Sequence, residues 1–266
     1  MINWFPGHMQ KATKQIVATK PLDLIIELTD ARSIEATRNN EITNLFNKPK
    51  IIIATKTDLA TYENIRNDVL YINIKDKNSK NKIIKMLNDF FKTKIDNLLK
   101  KGMLKPMFYV MIVGLPNVGK TSLINLLAPK KKLLVQNKPG VTRSKQLIKI
   151  SDNFLLYDTP GIMMKKIESF ETGCILCLLN IIKTDIIPLQ EVCEWTYEFY
   201  VKKYKNELEK FFGFKIISTM NPNDFFEEVG QKYLFLTKEN KVDKKRTMLY
   251  FLNLVKEGKI CKVNYE

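Results

Sequence analysis

Apolar positions along the chain follow two regimes. Through roughly the first 165 residues, short apolar runs alternate with helical periodicities. Leu22–Leu28, Ile51–Ala54, Met107–Val113 and Phe154–Tyr157 are continuous enough to predict strands buried on both faces. Lys80–Leu99 instead repeats Ile83, Ile84, Leu87, Phe90, Phe91, Ile95 and Leu98 along one helical face. Strand and helix in alternation predict an α/β fold around a parallel sheet. Beyond residue 165 the pattern turns helical. Pro188 opens one long predicted helix carrying Val192, Trp195, Phe199 and Leu208, with Gly213 near its end. Asn221-Pro222-Asn223-Asp224 reads as a turn and a helix start, and Asp243 caps a last helix containing Met248, Phe251, Leu252 and Val255. Two domains are expected, 1–165 and a mostly α-helical 166–266.

Composition narrows the class. A chain of 266 residues with 45% hydrophobic and 27% charged positions buries a core without disulfide or metal staples. The longest apolar run, from Cys174 to Ile182, is interrupted by Asn180 and falls short of the roughly 20 residues a membrane span needs. Trp4, Pro6, Gly7 and His8 stand where a secretory leader would need an apolar segment, so a cytoplasmic protein is expected. Cys174 and Cys177 form a C-x-x-C without a second pair or a nearby His, and read as buried thiols.

Charge changes the picture more. The net formal charge is +16, and it is one-sided. Residues 1–165 hold 28 basic and 13 acidic groups, whereas 166–266 hold 16 and 15. A positive field concentrated on one segment favours a polyanionic partner, nucleic acid or an anionic membrane surface, with a lysine-rich genome composition as the alternative source of the charge.

Four local motifs carry chemistry. Gly114-Leu115-Pro116-Asn117-Val118-Gly119-Lys120-Thr121 matches G-x-x-x-x-G-K-[ST], directly after a predicted strand and opening a helix through Leu123, Ile124 and Leu127. In such a loop the backbone N–H groups of Val118, Gly119 and Ser122 gather around phosphates, Lys120 reaches the β- and γ-phosphates, and Thr121 ligates magnesium. Asp158-Thr159-Pro160-Gly161 follows the strand Phe154–Tyr157, offering Asp158 to magnesium and the Gly161 N–H to a γ-phosphate. Between them, Pro139-Gly140-Val141-Thr142-Arg143 offers Thr142 as a threonine that senses γ-phosphate and magnesium; the alternative is a plain loop threonine. Thr55-Lys56-Thr57-Asp58 ends another strand, and the Asp58 carboxylate can accept both N1–H and the exocyclic amine of guanine while the Lys56 stem covers the base.

The order of these motifs is permuted: the guanine motif precedes the phosphate loop. Together with Trp4-Phe5-Pro6-Gly7-His8-Met9, Asp30-Ala31-Arg32, Lys138-Pro139-Gly140-Val141-Thr142 and Asp158-Thr159-Pro160-Gly161-Ile162, the chain resembles the RbgA/YlqF family of circularly permuted ribosome-assembly GTPases. Weaker similarity at Gly230-Gln231-Lys232 and the last helix extends the likeness over nearly the whole chain. The resemblance implies a circularly permuted P-loop GTPase domain with a parallel-rich sheet, followed by a helical domain that contacts RNA. It also implies a hydrolase that converts GTP to GDP late in maturation of the large ribosomal subunit, binds ribosomal RNA as a monomer, and leaves after hydrolysis. A GTP-dependent partner of an RNA-modifying enzyme and a nonhydrolysing GTP-sensing scaffold are the alternatives.

The chain departs from the family pattern in places. Thr55 stands where the family usually has Asn, and Asn73-Ile74 replaces an S-A pair that would offer a backbone N–H to the guanine oxygen. The Pro that usually follows D-A-R is absent at Ser33-Ile34. Ile162 occupies the position where many GTPases place a water-orienting Gln, so slow intrinsic turnover is expected, needing another residue or a partner, with stimulation by the large ribosomal subunit the expectation. His8, the single histidine, is the candidate replacement, with a structural role packing the N-terminal segment as the alternative. Asn117, as in similar GTPases, is a candidate ligand for potassium.

Overall fold

Leu24, Ile25, Ile26, Leu28 and Ile53 are wholly inaccessible to solvent, as expected of strands covered on both faces. The structure is a computed structural model describing residues 2–3, 13–14, 16–61, 65–128, 147–159, 161–164 and 166–266. Its strands are β1 (Ile2–Asn3), β2 (Leu24–Asp30), β3 (Lys50–Thr55), β4 (Val69–Tyr71), β5 (Phe108–Gly114), β6 (Leu147–Lys149), β7 (Phe154–Tyr157) and β8 (Lys166–Ile167). Six of them form one sheet in the order β4-β3-β2-β5-β7-β6. All its pairings are parallel except β6 against β7. The four predicted strands are its centre. The two unpredicted ones, β4 and β6, are three residues each and lie at the edges.

The predicted helix over Lys80–Leu99 runs Ser79–Lys100 and buries Ile83, Leu87 and Phe91. Phe91 stacks on Phe108 with ring centroids 4.3 Å apart, which fastens the helix to β5.

The chain divides into two compact units. One gathers Ile2–Asn3, Asp58–Thr61 and Lys166–Glu266; the other holds the remaining described residues, including the six-stranded sheet. The first unit is helical apart from β1 and β8, which pair antiparallel. Its core is aromatic, with Phe212, Phe225, Phe226 and Phe251 packed ring to ring. The single long helix expected after Pro188 is two, Leu189–Lys203 and Lys205–Phe212. Tyr204 breaks it at φ −135°, and its buried phenol bonds both the N–H and the carbonyl of Asn264. Apolar residues stay in phase across the break, which hides it from the sequence. Gly213 then stops the second helix in the left-handed region, at φ +67°. Asn221 and Asp224 form a reciprocal cap with Pro222 in the first turn, and Asp243 accepts from the Arg246 N–H. Cys174 and Cys177 are free, buried thiols. Among the described residues no helix is long and apolar enough to cross a membrane.

Candidate functional site

Parallel strands put the motif loops on one edge. Asp30, Thr55, Tyr71, Gly114 and Tyr157 are the last residues of β2, β3, β4, β5 and β7, so D-A-R, T-K-x-D, Asn73-Ile74, the phosphate loop and D-T-P-G all leave from carboxyl ends. The chain switches direction across the sheet between β2 and β5, where a ligand crevice is expected in open α/β sheets.

The phosphate loop opens the helix Lys120–Leu127 through a left-handed Gly119, φ +100°. Asn117 is also left-handed, at φ +59°. Gly114 could carry no side chain, because a Cβ there would meet the Leu28 carbonyl oxygen at 2.6 Å. Lys120 is buried and turned inward, donating to the carbonyls of Gly114 at 3.0 Å and Leu115 at 2.7 Å. Burial brings its ammonium down to about 8, opposed by the charge of Asp158. Partial desolvation raises the Asp158 carboxyl, opposed in turn by Lys120. Gly161 lies against both loop and lysine: a Cβ on it would sit 2.9 Å from Lys120 Nζ and 3.1 Å from the Pro116 backbone.

Thr55 connects the guanine motif to the phosphate loop. Its fully buried hydroxyl donates to the Val118 carbonyl at 2.7 Å, the shorter of two contacts, the other being Thr29 O at 3.2 Å. Ile74 also reaches this place, its Cδ1 lying 3.1 Å from the position a Cβ on Gly119 would take. Asn73 turns the chain after β4, its side chain accepting from Lys75 N–H and its carbonyl from Ser79 Oγ at 2.6 Å. Thr55, Asn73, Ile74 and the loop residues Asn117, Val118, Gly119, Lys120, Thr121 and Ser122 all belong to the sheet-bearing unit, whereas Asp58 opens the segment grouped with the helical unit. His8 and Thr142 lie outside the described residues.

Lys56 has a partner that motif reading missed. It sits at φ +59° and its ammonium meets Asp30 Oδ2 at 2.8 Å. Asp30 is wholly buried and also takes a forked bond from Arg32, 3.0 Å at Nε and 2.9 Å at Nη2. Burial pushes the Asp30 carboxyl up, but the bonds and charges of Arg32 and Lys56 outweigh this and hold it below the ordinary range. The D-A-R segment is therefore a charged hub that fixes the guanine-motif lysine.

A second missed group lies under the D-T-P-G loop. Glu27, buried in the middle of β2, accepts from the Asn39 N–H at 2.8 Å. The Asn39 side chain in turn donates to the Ile162 carbonyl at 3.2 Å, while the Ile162 N–H reaches the Gly114 carbonyl at 3.3 Å. Glu27 Oε2 has no hydrogen bond, and faces Arg38 Nε at 3.5 Å. The signal was present: one acid inside a continuous apolar strand. Ile162 itself is 3% exposed in an apolar cluster with Ile42 and Val113, which removes it from any role in orienting water.

Thr121 and Asp158 are exposed oxygen donors. Among the described residues no cluster of three or more His, Cys, Asp or Glu could hold an ion unaided. A hydroxyl and one carboxylate fit magnesium that completes its shell from nucleotide phosphates and water.

A permuted motif order on this sheet, with Thr55 bridging the base and phosphate loops, defines a circularly permuted P-loop GTPase. A family model described as 50S ribosome-binding GTPase matches residues 109–212. "Probable ribosome biogenesis GTPase A" of Mycoplasma genitalium is 38% identical, covering 100% of this chain and 96% of that protein. Ribosome biogenesis GTPase A of Bacillus pumilus is 35% identical over 87% of this chain and 86% of its own length. The fold matches the crystal structure of GNP-bound YlqF from T. maritima at a TM-score of 0.64 and 23% identity, over 96% of this chain and 97% of that one. The chain belongs to the ribosome biogenesis GTPase A family.

Proposed function

We propose that the protein hydrolyses GTP as a late assembly factor of the large ribosomal subunit, binding ribosomal RNA and leaving after hydrolysis. The observation that carries this reading is the Thr55–Val118 bond at 2.7 Å, which couples the guanine motif to the phosphate loop. The names of the relatives support the ribosomal setting, and the excess of basic groups in residues 1–165 supports contact with RNA. The domains are a GTP-binding 1–165 and a helical, RNA-contacting 166–266, acting as a monomer in the cytoplasm.

In this reading Asp58 accepts the two guanine N–H groups, and the backbone at Asn73-Ile74 donates to the guanine oxygen. The loop N–H groups cradle the phosphates, and Lys120 leaves its internal carbonyls to meet the β- and γ-oxygens. Thr121, Thr142 and Asp158 hold magnesium, which when bound neutralises charge on those oxygens. Asn117, exposed on the rim, offers its side-chain oxygen to potassium. Gly161 senses the γ-phosphate. His8 orients the attacking water in place of the buried Ile162, and a neutral imidazole can accept its hydrogen bond.

Sedimentation with purified large subunits tests the assignment. The protein is expected to travel with the subunit in a nonhydrolysable GTP analogue, to leave it in GDP, and to lose binding as salt rises. Equal binding in both nucleotides would refute it.

A further inference from the structure

The division between the two compact units falls within the guanine motif, between Thr57 and Asp58. Upstream, Thr55 and Lys56 are anchored by Val118 and Asp30. Downstream, the segment Asp58–Thr61 belongs to the helical unit, and its anchor there is the C-terminal tail. The Val263 N–H donates to the Leu59 carbonyl at 3.1 Å. Gly258, at φ +66°, passes so close that a Cβ on it would lie 2.9 Å from Leu59 Cδ2.

That tail is rigidly held. Gly258 and Lys259 close the last helix by donating to Val255 and Leu254 carbonyls. Val263 is fully buried, and Asn264 and Tyr265 nearly so. Tyr204 Oη accepts from the Asn264 N–H at 2.9 Å and donates to its carbonyl at 3.2 Å. The ring of Tyr265 packs on Phe199, centroids 5.2 Å apart. Leu59 therefore rests on an element fixed to the helix Leu189–Lys203, and Asp58 is its immediate neighbour in the chain.

We propose that Gly258 and Val263 are positioning residues for guanine recognition: through Leu59 the C-terminal tail sets where the Asp58 carboxylate stands. The inference rests on the assignment of Asp58 to the base. Its physical consequence is reciprocal linkage, since whatever orders the tail strengthens guanine binding and guanine binding orders the tail by the same factor.

The test compares GDP with IDP, whose hypoxanthine keeps N1–H but lacks the exocyclic amine. Phosphate contacts are shared, so the ratio of the two dissociation constants reads the Asp58 carboxylate alone. Loss of one hydrogen bond to a charged acceptor corresponds to about tenfold or more in that ratio. Gly258→Ala, which drives a methyl into Leu59, is expected to reduce the ratio by about tenfold, and Leu59→Ala to reduce it in the same direction. In the wild-type protein, GDP is expected to slow amide hydrogen exchange at Val263 while inorganic pyrophosphate leaves it unchanged. An undiminished ratio in folded Gly258→Ala overturns the proposal. If that variant does not fold, equal Val263 exchange with GDP and pyrophosphate overturns it. Asp58→Asn in the same assay separates the two levels: an unchanged ratio there overturns the base assignment together with the tail's role, whereas a collapsed ratio with an unchanged Gly258→Ala removes the tail alone.

Discussion

Asp30→Asn is the most informative single change, because it keeps the shape of the buried hub and removes the carboxylate that Arg32 and Lys56 share. Asp30 is wholly buried and the Arg32 side chain 3% exposed, so the substitution removes the forked Asp30 bond from a guanidinium in the interior. Breaking such a pair from one side costs about 3–5 kcal/mol. The Lys56 bridge is a quarter exposed at the cation and adds at most about 1 kcal/mol. Against a typical total stability of about 5–15 kcal/mol this is a severe loss. With a urea dependence of about 2 kcal/mol/M, the midpoint is expected to fall by roughly 2 M. Removing the Arg32 guanidinium as well, in Asp30→Asn/Arg32→Met, is expected to recover part of the deficit.

The pH dependence follows from the same geometry. The Asp30 carboxyl titrates below its unfolded value, about 3.9. Its contribution is therefore complete above that pH and disappears only as pH falls through the lower, folded value. The deficit of Asp30→Asn is expected to be equal at pH 7 and pH 5 and to shrink only below about pH 4. Urea titrations of both proteins across this range decide the matter. A deficit under about 1 kcal/mol at pH 7, or one already vanishing at pH 5, would refute the buried ion-pair account.

Thr55→Val retains volume but strands the Val118 carbonyl, for a loss of about 1–3 kcal/mol in unfolding experiments and a weaker GDP affinity by calorimetry. Unchanged values for both would mean the bridge does no work. Asn39→Ala releases the Ile162 carbonyl and uncaps the short helix Asn40–Thr43; a stability loss of about 1 kcal/mol is expected. Its phosphate release is expected to slow at retained GDP affinity, and an unaltered rate would leave Asn39 as a helix cap only.

What could be read from the sequence, and what could not, follows from range. The four central strands announce themselves because burial on both faces makes apolar runs continuous, and the phosphate loop because glycine and lysine spacing is local chemistry. The edge strands β4 and β6 are three residues long and half-exposed, too short to leave a period. The split at Tyr204 depends on a partner 60 residues away. Partners of Lys56, Thr55 and Ile162 lie 26, 63 and 123 residues distant, and nothing local in their motifs specifies them. Thr55 stands where the family usually has Asn, and its hydroxyl suffices for the bond to the loop. Asp58 was legible as a base-binding residue, but its grouping with the C-terminal tail was not, because the permutation separates the two by some 200 positions of chain.

The central proposal, a GTP hydrolase that serves the large ribosomal subunit and is expected to be stimulated by it, is tested most directly by phosphate release from GTP with and without purified large subunits, Lys120→Ala serving as the blank. Slow release from the protein alone and a marked rise with large but not small subunits is the predicted result. Release that large subunits leave unchanged, or that persists in Lys120→Ala, would contradict it.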